Sequence, residues 1–115
     1  MELVSAAKDG WTKLRWTVFK RDGGCVATST FWFPRDTAPD QCRNKAGWLI
    51  KWDDIFQMEW DHVTDAGGIR RDDEAHGVTV CPWHHRGSDW RIDTKERRQR
   101  EREVLSGLYP EAWAR

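Results

Sequence analysis

Cys81 ends the short apolar segment GVTVC, residues 77–81, and two residues separate it from His84. This is the spacing of half a tetrahedral zinc site, which needs a second pair of ligands to be complete. Cys25 and Cys42 are the other cysteines of the chain. They are too far apart in sequence for a compact knuckle, and two buried thiols are an equally good interpretation of that pair alone. Three cysteines together with His84 favour a structural Zn²⁺.

The composition explains why a metal would help this chain to fold. Its 115 residues match the size of one domain, so we expect a single domain over 1–115. Hydrophobic residues make up 38% and charged residues 33%, which limits the apolar surface available for a core. The odd number of cysteines favours metal ligands or buried thiols over a disulfide framework.

The charge balance excludes a protein that attracts nucleic acid through its overall field, because 19 basic and 19 acidic residues give a net charge of zero. The densest basic segment is 91–102. Its composition favours a solvated helix with pairs such as Glu96 and Arg100, while a phosphate-binding face is the alternative. In that alternative the nucleic-acid contacts are Arg86, Arg91, Lys95, Arg97 and Arg98.

Neither a membrane span nor a secretory signal is predicted. No apolar run approaches the roughly 18 residues that a span requires, and MELVSAAKDG lacks a cationic start followed by an apolar stretch. We therefore expect a cytoplasmic protein.

The first half of the chain contains one clear element. Apolar residues at helical spacing predict a helix at 11–21, with Gly23 and Gly24 as its stop signal. Residues 25–47 have no sustained period and are predicted to be loop. Residues 48–55 fit a short helix or a strand equally well.

The second half predicts a strand, a loop, a strand and a helix. Residues 56–63 alternate as in a strand with Phe56, Met58 and Trp60 on one face, a polar loop follows, and 77–81 form a second strand. Pro82 fits the first turn of a helix that carries the two adjacent histidines. Thr94 can cap a last helix over about 94–106.

These segments resemble a known family. EWDH at 59–62, the glycine-containing loop, His76 followed by GVTVC, and CPWHH at 81–85 together resemble the HNH endonuclease motif, over residues 56 to about 87. RDGGC at 21–25 and REVLSGLYPEAW at 102–113 look like flanks in HNH proteins of actinobacteria and their phages. The resemblance implies a small α+β fold with a ββα-metal (His-Me finger) core, flanking helices and a structural zinc site.

The resemblance also implies a role for each histidine of the motif. His62 would be the general base, while Asp61 and His85 would hold a catalytic cation, with Mg²⁺ or Mn²⁺ preferred and Ni²⁺ possible. His76 stands at the middle position, which is usually Asn, and would either fix the loop that orients the base or act as an additional ligand. The zinc ligands also depart from the family, in which a pair of Cys-x-x-Cys knuckles is common.

The implied activity is hydrolysis of DNA phosphodiester bonds. Neutral His62 would accept a proton from water, and the cation would offset the charge that develops on the leaving 3′ oxygen. Similar proteins are often encoded beside DNA-packaging terminase genes, so the resemblance implies a terminase partner and a bacterial host cell if the chain is encoded by a phage.

Two other functions are compatible with part of the sequence. A non-catalytic nucleic-acid-binding module stapled by zinc would use the cysteines and His84 but would leave Asp61, His62 and His85 without a role. A zinc hydrolase for a small substrate would need three protein ligands around an open coordination position, and a pocket, of which the sequence gives no sign.

Overall fold

The structure, a computed structural model, describes residues 6–64 and 68–114. Residues 65–67, which belong to the predicted polar loop, lie outside the described residues, as do both ends of the predicted 1–115 domain. Within the described ranges, no helix has the length and apolar character needed to cross a membrane.

The chain has a small α+β fold, as predicted from its sequence. The elements, in chain order, are α1 (Ala6–Asp22), β1 (Glu59–His62), β2 (Gly77–Val80), α2 (Lys95–Leu108) and α3 (Pro110–Trp113). Loops and short 3₁₀ turns connect them, and the longest of these connections joins α1 to β1.

The two strands form an antiparallel sheet in which Glu59 faces Val80 and His62 faces Gly77. β1 begins later than predicted, because residues 55–57 form a 3₁₀ turn in which the Asp54 side chain accepts a hydrogen bond from the Phe56 amide at 3.1 Å. Phe56, expected on the strand face, is consequently 87% exposed.

The predicted helix after Pro82 is a single wide turn, Trp83–Gly87. Its closing hydrogen bond joins the Ser88 amide to the Trp83 carbonyl at 2.8 Å, which is the i to i+5 pattern of a π-helix. Residues 48–54, where a helix or a strand was expected, form neither; a single bridge between Arg43 and Leu49 joins this loop to the preceding one.

The helices follow their predicted signals closely. α1 contains the predicted 11–21 segment and stops before Gly23, which has a φ of 76°. Thr94 caps α2 by accepting a hydrogen bond from the Arg97 amide at 3.3 Å. α2 continues past its predicted end near residue 106 to Leu108, and Pro110 begins α3.

β2 lies at the centre of the core, and all four of its residues are buried. The end of α1 is fixed against it, because Asp22 accepts a hydrogen bond from the Thr79 amide at 2.7 Å and Arg21 donates to the Gly77 carbonyl at 2.6 Å. The larger fully buried apolar side chains around it include Val18, Val26, Trp32, Phe33, Val63, Ile92 and Leu105.

Glu101 is a buried carboxyl group in the middle of α2, with no exposed surface. Arg98 donates to its Oε1 at 3.0 Å, while Oε2 has no hydrogen-bond partner within the described part of the chain. Burial raises the pKa of Glu101 to about 8, and the attraction of Arg98 only partly opposes this. Glu101 therefore favours its protonated form in the folded state.

We expect Glu101 to make stability fall as pH rises. Its pKa rises from 4.5 when exposed to about 8 when folded, so the folded state binds the additional proton between these values and loses that stabilisation as pH passes through them. The neutral isostere Glu101→Gln lacks this proton exchange. Urea unfolding at several pH values should show wild type losing on the order of a few kcal/mol relative to the variant between about pH 5 and pH 9. A difference that stays constant with pH would contradict the assignment.

Candidate metal centre

Three cysteines and one histidine converge in the core, as the sequence predicted. Cys25, Cys42, Cys81 and His84 are buried, and one ligand atom from each lies within 4.8 Å of all the others. The sulfur atoms of Cys25 and Cys42 are each 3.7 Å from Nδ1 of His84, and that of Cys81 is 3.2 Å away. In a tetrahedral zinc site with ordinary bond lengths, sulfur and nitrogen ligands are about 3.6 Å apart. The cluster can therefore hold a metal such as zinc.

Backbone contacts bring the two separate cysteines to this position. The Cys25 amide donates to the Trp52 carbonyl at 2.8 Å, and the Ile50 amide donates to the Cys42 carbonyl at 3.1 Å. Gly24 has a φ of 146°, and a Cβ atom there would lie 2.4 Å from the Trp52 ring. Only glycine permits this close approach of the loop to Cys25.

Burial and hydrogen bonds within the cluster shift the pKa values of its thiols and of its imidazole. Burial raises the pKa of the Cys25 thiol, whereas hydrogen bonds from Cys25 and Cys42 lower the pKa of Cys81 strongly. Burial lowers the pKa of His84, but hydrogen bonds with Cys42, Cys81 and Asp40 outweigh it and raise the pKa to about 10. Zinc binds thiolates and neutral imidazole, so its binding would release protons from this cluster.

Asp40 orients His84 from the side away from the sulfur atoms. Its Oδ1 is 2.7 Å from Nε2 of His84, while Oδ2 accepts from Trp83 Nε1 at 2.8 Å and from Ser88 Oγ at 2.6 Å. Hydrogen bonds from Ser88, His84 and Trp83 outweigh desolvation and lower the pKa of Asp40 to about 2. Such a carboxylate fixes the tautomer of a ligating histidine. Asp40 was not predicted as a site residue, because it lies 44 positions before His84 in a loop without an apolar period.

His85 lies between two carboxylates of β1. Its Nε2 is 3.0 Å from Oδ1 of Asp61, the residue with which it was predicted to share a cation, and its Nδ1 is 2.7 Å from Oε1 of Glu59. The sequence analysis did not assign Glu59. Strand alternation was the available signal, because residues two apart on a strand share a face.

Asp61 is 7% exposed and its second oxygen is also engaged, since Oδ2 accepts a hydrogen bond from Nη1 of Arg98. Burial alone would raise the pKa of Asp61, but hydrogen bonds with His85 and Arg98 lower it. The hydrogen bond with Asp61 is also the largest cause of the raised pKa of His85. Each member of the pair thus favours the charged form of the other.

His62 is the last residue of β1 and lies on the face opposite Asp61. Its Nε2 is 2.7 Å from Oδ1 of Asp72, and its ring packs edge-on against Trp60. Because β1 ends here, Asp61 and His62 nevertheless both border a cleft of about 420 Å³. The other residues around this cleft are Thr64, Arg70, Arg86, Asp93, Arg98 and Arg102.

His76 is buried outside that cleft, immediately before β2. Nδ1 is 2.7 Å from Oδ1 of Asp73, and the ring stacks on Trp113 with 4.5 Å between centroids. Its carbonyl accepts a hydrogen bond from the Val63 amide at 2.9 Å, directly after His62. His76 thus anchors the loop beside His62, and a catalytic role for its ring stays a prediction.

The basic residues predicted to contact nucleic acid differ in how they are used. Arg97 lies over the Trp90 ring at 5.4 Å and pairs with Asp36 at 3.0 Å. Arg86 and Lys95 are exposed and form no hydrogen bond or ion pair with other described residues. The predicted contacts that already donate to protein groups are Arg91, Arg97 and Arg98.

Comparison with known proteins gives no relative from which a function can be transferred. No protein-family model, no curated protein and no solved structure matches this chain. The function must therefore be inferred from these side chains and from the motif that they form in the sequence.

The adjacent histidines should have different effects on the metal. We expect one zinc per chain in the wild type, and we expect Cys81→Ser and His84→Ala to lose it and to lower the thermal midpoint by on the order of 10 °C or more. His85→Ala, the matched control, should retain zinc because its ring faces β1. Elemental analysis and calorimetry measure both quantities. Zinc lost with His85 rather than His84 would reverse these roles.

Proposed function

We propose that this protein is a metal-dependent DNA endonuclease of the HNH type that hydrolyses phosphodiester bonds. The observation that carries the proposal is the 3.0 Å separation of Asp61 Oδ1 and His85 Nε2, next to a cleft that also contains His62. Asp61 and the candidate base His62 border this cleft, and His85 contacts Asp61. The chain order of β1, loop, β2 and the turn carrying His85 supports a ββα-metal core with a shortened helix.

The Asp61–His85 pair fits a divalent cation. Adjacent ligands of an octahedral ion with bonds of about 2.1 Å are about 3 Å apart, which agrees with the separation of these two atoms. One nitrogen and one carboxylate oxygen suit Mg²⁺ or Mn²⁺, and Ni²⁺ is also compatible. Arg98 binds the other oxygen of Asp61, which leaves Oδ1 for the ion. When bound, the cation would polarise the phosphate and offset charge on the leaving oxygen.

His62 can act as the general base. With its Nε2–H donating to Asp72, Nδ1 is left to accept a proton from water. The hydroxide so formed would attack phosphorus, leaving a 5′-phosphate and a 3′-hydroxyl. Arg70 and Arg86 border the same cleft, and neither has an ion-pair partner among the described residues, so both guanidinium groups are available to bind phosphate.

A non-catalytic DNA-binding module stapled by zinc is the second candidate. It is favoured by the Cys25, Cys42, Cys81 and His84 cluster, which is the one group of three or more metal-ligand side chains that converges in the described part of the chain. A purely DNA-binding role does not explain why His62 and His85 contact carboxylates. Incubation of plasmid DNA with Mg²⁺, Mn²⁺ or EDTA separates the candidates, because only the nuclease nicks or linearises the plasmid.

His62→Ala should abolish cleavage by removing the base. General bases contribute about 10²- to 10⁴-fold, so we expect a loss of that size in the rate of plasmid nicking. Zinc content, thermal midpoint and DNA affinity measured in EDTA serve as controls and should change little, because the His62 ring contacts Asp72 and Trp60 and none of the four cluster residues. A variant with most of its activity at neutral pH would refute the assignment.

His85→Ala should remove metal-dependent cleavage while the structural zinc stays bound. The Mg²⁺ or Mn²⁺ concentration needed for half-maximal nicking should rise beyond the accessible range, because the ion loses one of its two protein ligands. Full activity without His85 would show that the cation is held at another site and would refute this role of His85.

A further inference from the structure

Glu59 and Asp61 flank the ring of His85 from one face of β1. Oε1 of Glu59 is 2.7 Å from Nδ1, and Oδ1 of Asp61 is 3.0 Å from Nε2. The two ring nitrogens of an imidazole face in divergent directions. An ion held by Nε2 and Asp61 is therefore beyond the reach of Glu59. The two carboxylates therefore have different tasks.

The surroundings indicate which nitrogen faces the ion. Asp61 borders the cleft that contains His62, whereas Glu59 and His85 border a separate depression that also contains Lys45, whose Nζ is 3.6 Å from Oε2 of Glu59. A cation at Nε2 thus lies on the side of His62, while a cation at Nδ1 would lie next to a lysine.

The neighbouring histidine shows the same arrangement with the ring reversed. His84 directs Nδ1 towards three sulfur atoms and contacts Asp40 through Nε2 at 2.7 Å. Carboxylates in this position receive the second ring N–H of a ligating histidine, which fixes the tautomer and the orientation of the ring. His85 has the equivalent carboxylate in Glu59.

We propose that Glu59 is the positioning residue of the cation site. It accepts the Nδ1–H of His85, holds the ring in place, and leaves Nε2 as the nitrogen that binds the divalent cation together with Asp61. This inference rests on the function proposed above, since it concerns the same ion.

Mn²⁺ binding to the zinc-loaded, full-length chain tests the proposal without any measurement of cleavage. Electron paramagnetic resonance of free Mn²⁺ gives the affinity, and Asp61→Ala identifies the site. We expect Glu59→Ala to weaken binding by about 10- to 100-fold and Glu59→Gln by less, because its amide oxygen still accepts the Nδ1–H. The control Asp53→Ala removes an exposed carboxylate of β1's preceding loop and should leave the affinity unchanged. Zinc content should be equal in all variants.

Long-range ¹H–¹⁵N correlation spectra of the Mg²⁺-loaded protein provide the second readout. The protonated nitrogen of His85 should be Nδ1 in the wild type and in Glu59→Gln. Mn²⁺ binding that needs Asp61 but is unchanged in Glu59→Ala would overturn the role of Glu59 and leave the cation site intact. Binding that survives Asp61→Ala but is lost in Glu59→Ala would place the ion on Nδ1 and overturn the proposal. Absence of Mn²⁺ binding in the wild type would overturn both the positioning role and the proposed cation site.

Discussion

Cys25, Cys42, Cys81 and His84 bring together parts of the chain that are far apart in sequence. Cys25 follows α1, Cys42 lies in a long loop, and the other two follow the end of β2. Structural zinc contributes on the order of 10 kcal/mol in small domains, comparable to the total stability of about 5–15 kcal/mol of a typical domain. With so little regular structure between α1 and β1, a metal at the cluster would add to the few backbone hydrogen bonds that fix the loop around Cys42.

The arginines of α2 stabilise the fold through hydrogen bonds to backbone carbonyls. Arg100 donates to the Trp32 carbonyl at 2.6 Å and Arg102 to the Thr64 carbonyl at 2.9 Å. A guanidinium group offers five donors, so it can satisfy carbonyl groups that a loop leaves without partners in a sheet or helix. The dense basic charge of this helix therefore has a role in the fold and does not by itself indicate a nucleic-acid partner.

Sequence spacing predicted α1, the two strands and the Cys81–His84 pair, because these depend on short-range patterns. Apolar periodicity located α1, the two-residue gap between Cys81 and His84 identified a candidate half-site, and Cys25 and Cys42 were assigned from their residue type. Asp40 could not be predicted in this way, since it contacts a histidine 44 positions later through tertiary structure alone. Strand alternation places Glu59 on the same face as Asp61, but it does not reveal the contact of Glu59 with a histidine 26 positions later. Pro82 could not distinguish an α-helix from a wide turn, because both begin with the same backbone conformation.

The wide turn couples the two histidine sites although they share no ligand. The His85 amide donates to the Cys81 carbonyl at 2.9 Å, and the His84 carbonyl accepts from the Ile92 amide at 2.8 Å, so the backbone on which both rings are mounted is fixed by groups next to the cluster. A metal bound at the cluster would immobilise His84, and the direction of the next side chain follows from the turn. The position of His85 between Glu59 and Asp61 would thereby depend on an ion that takes no part in the proposed chemistry.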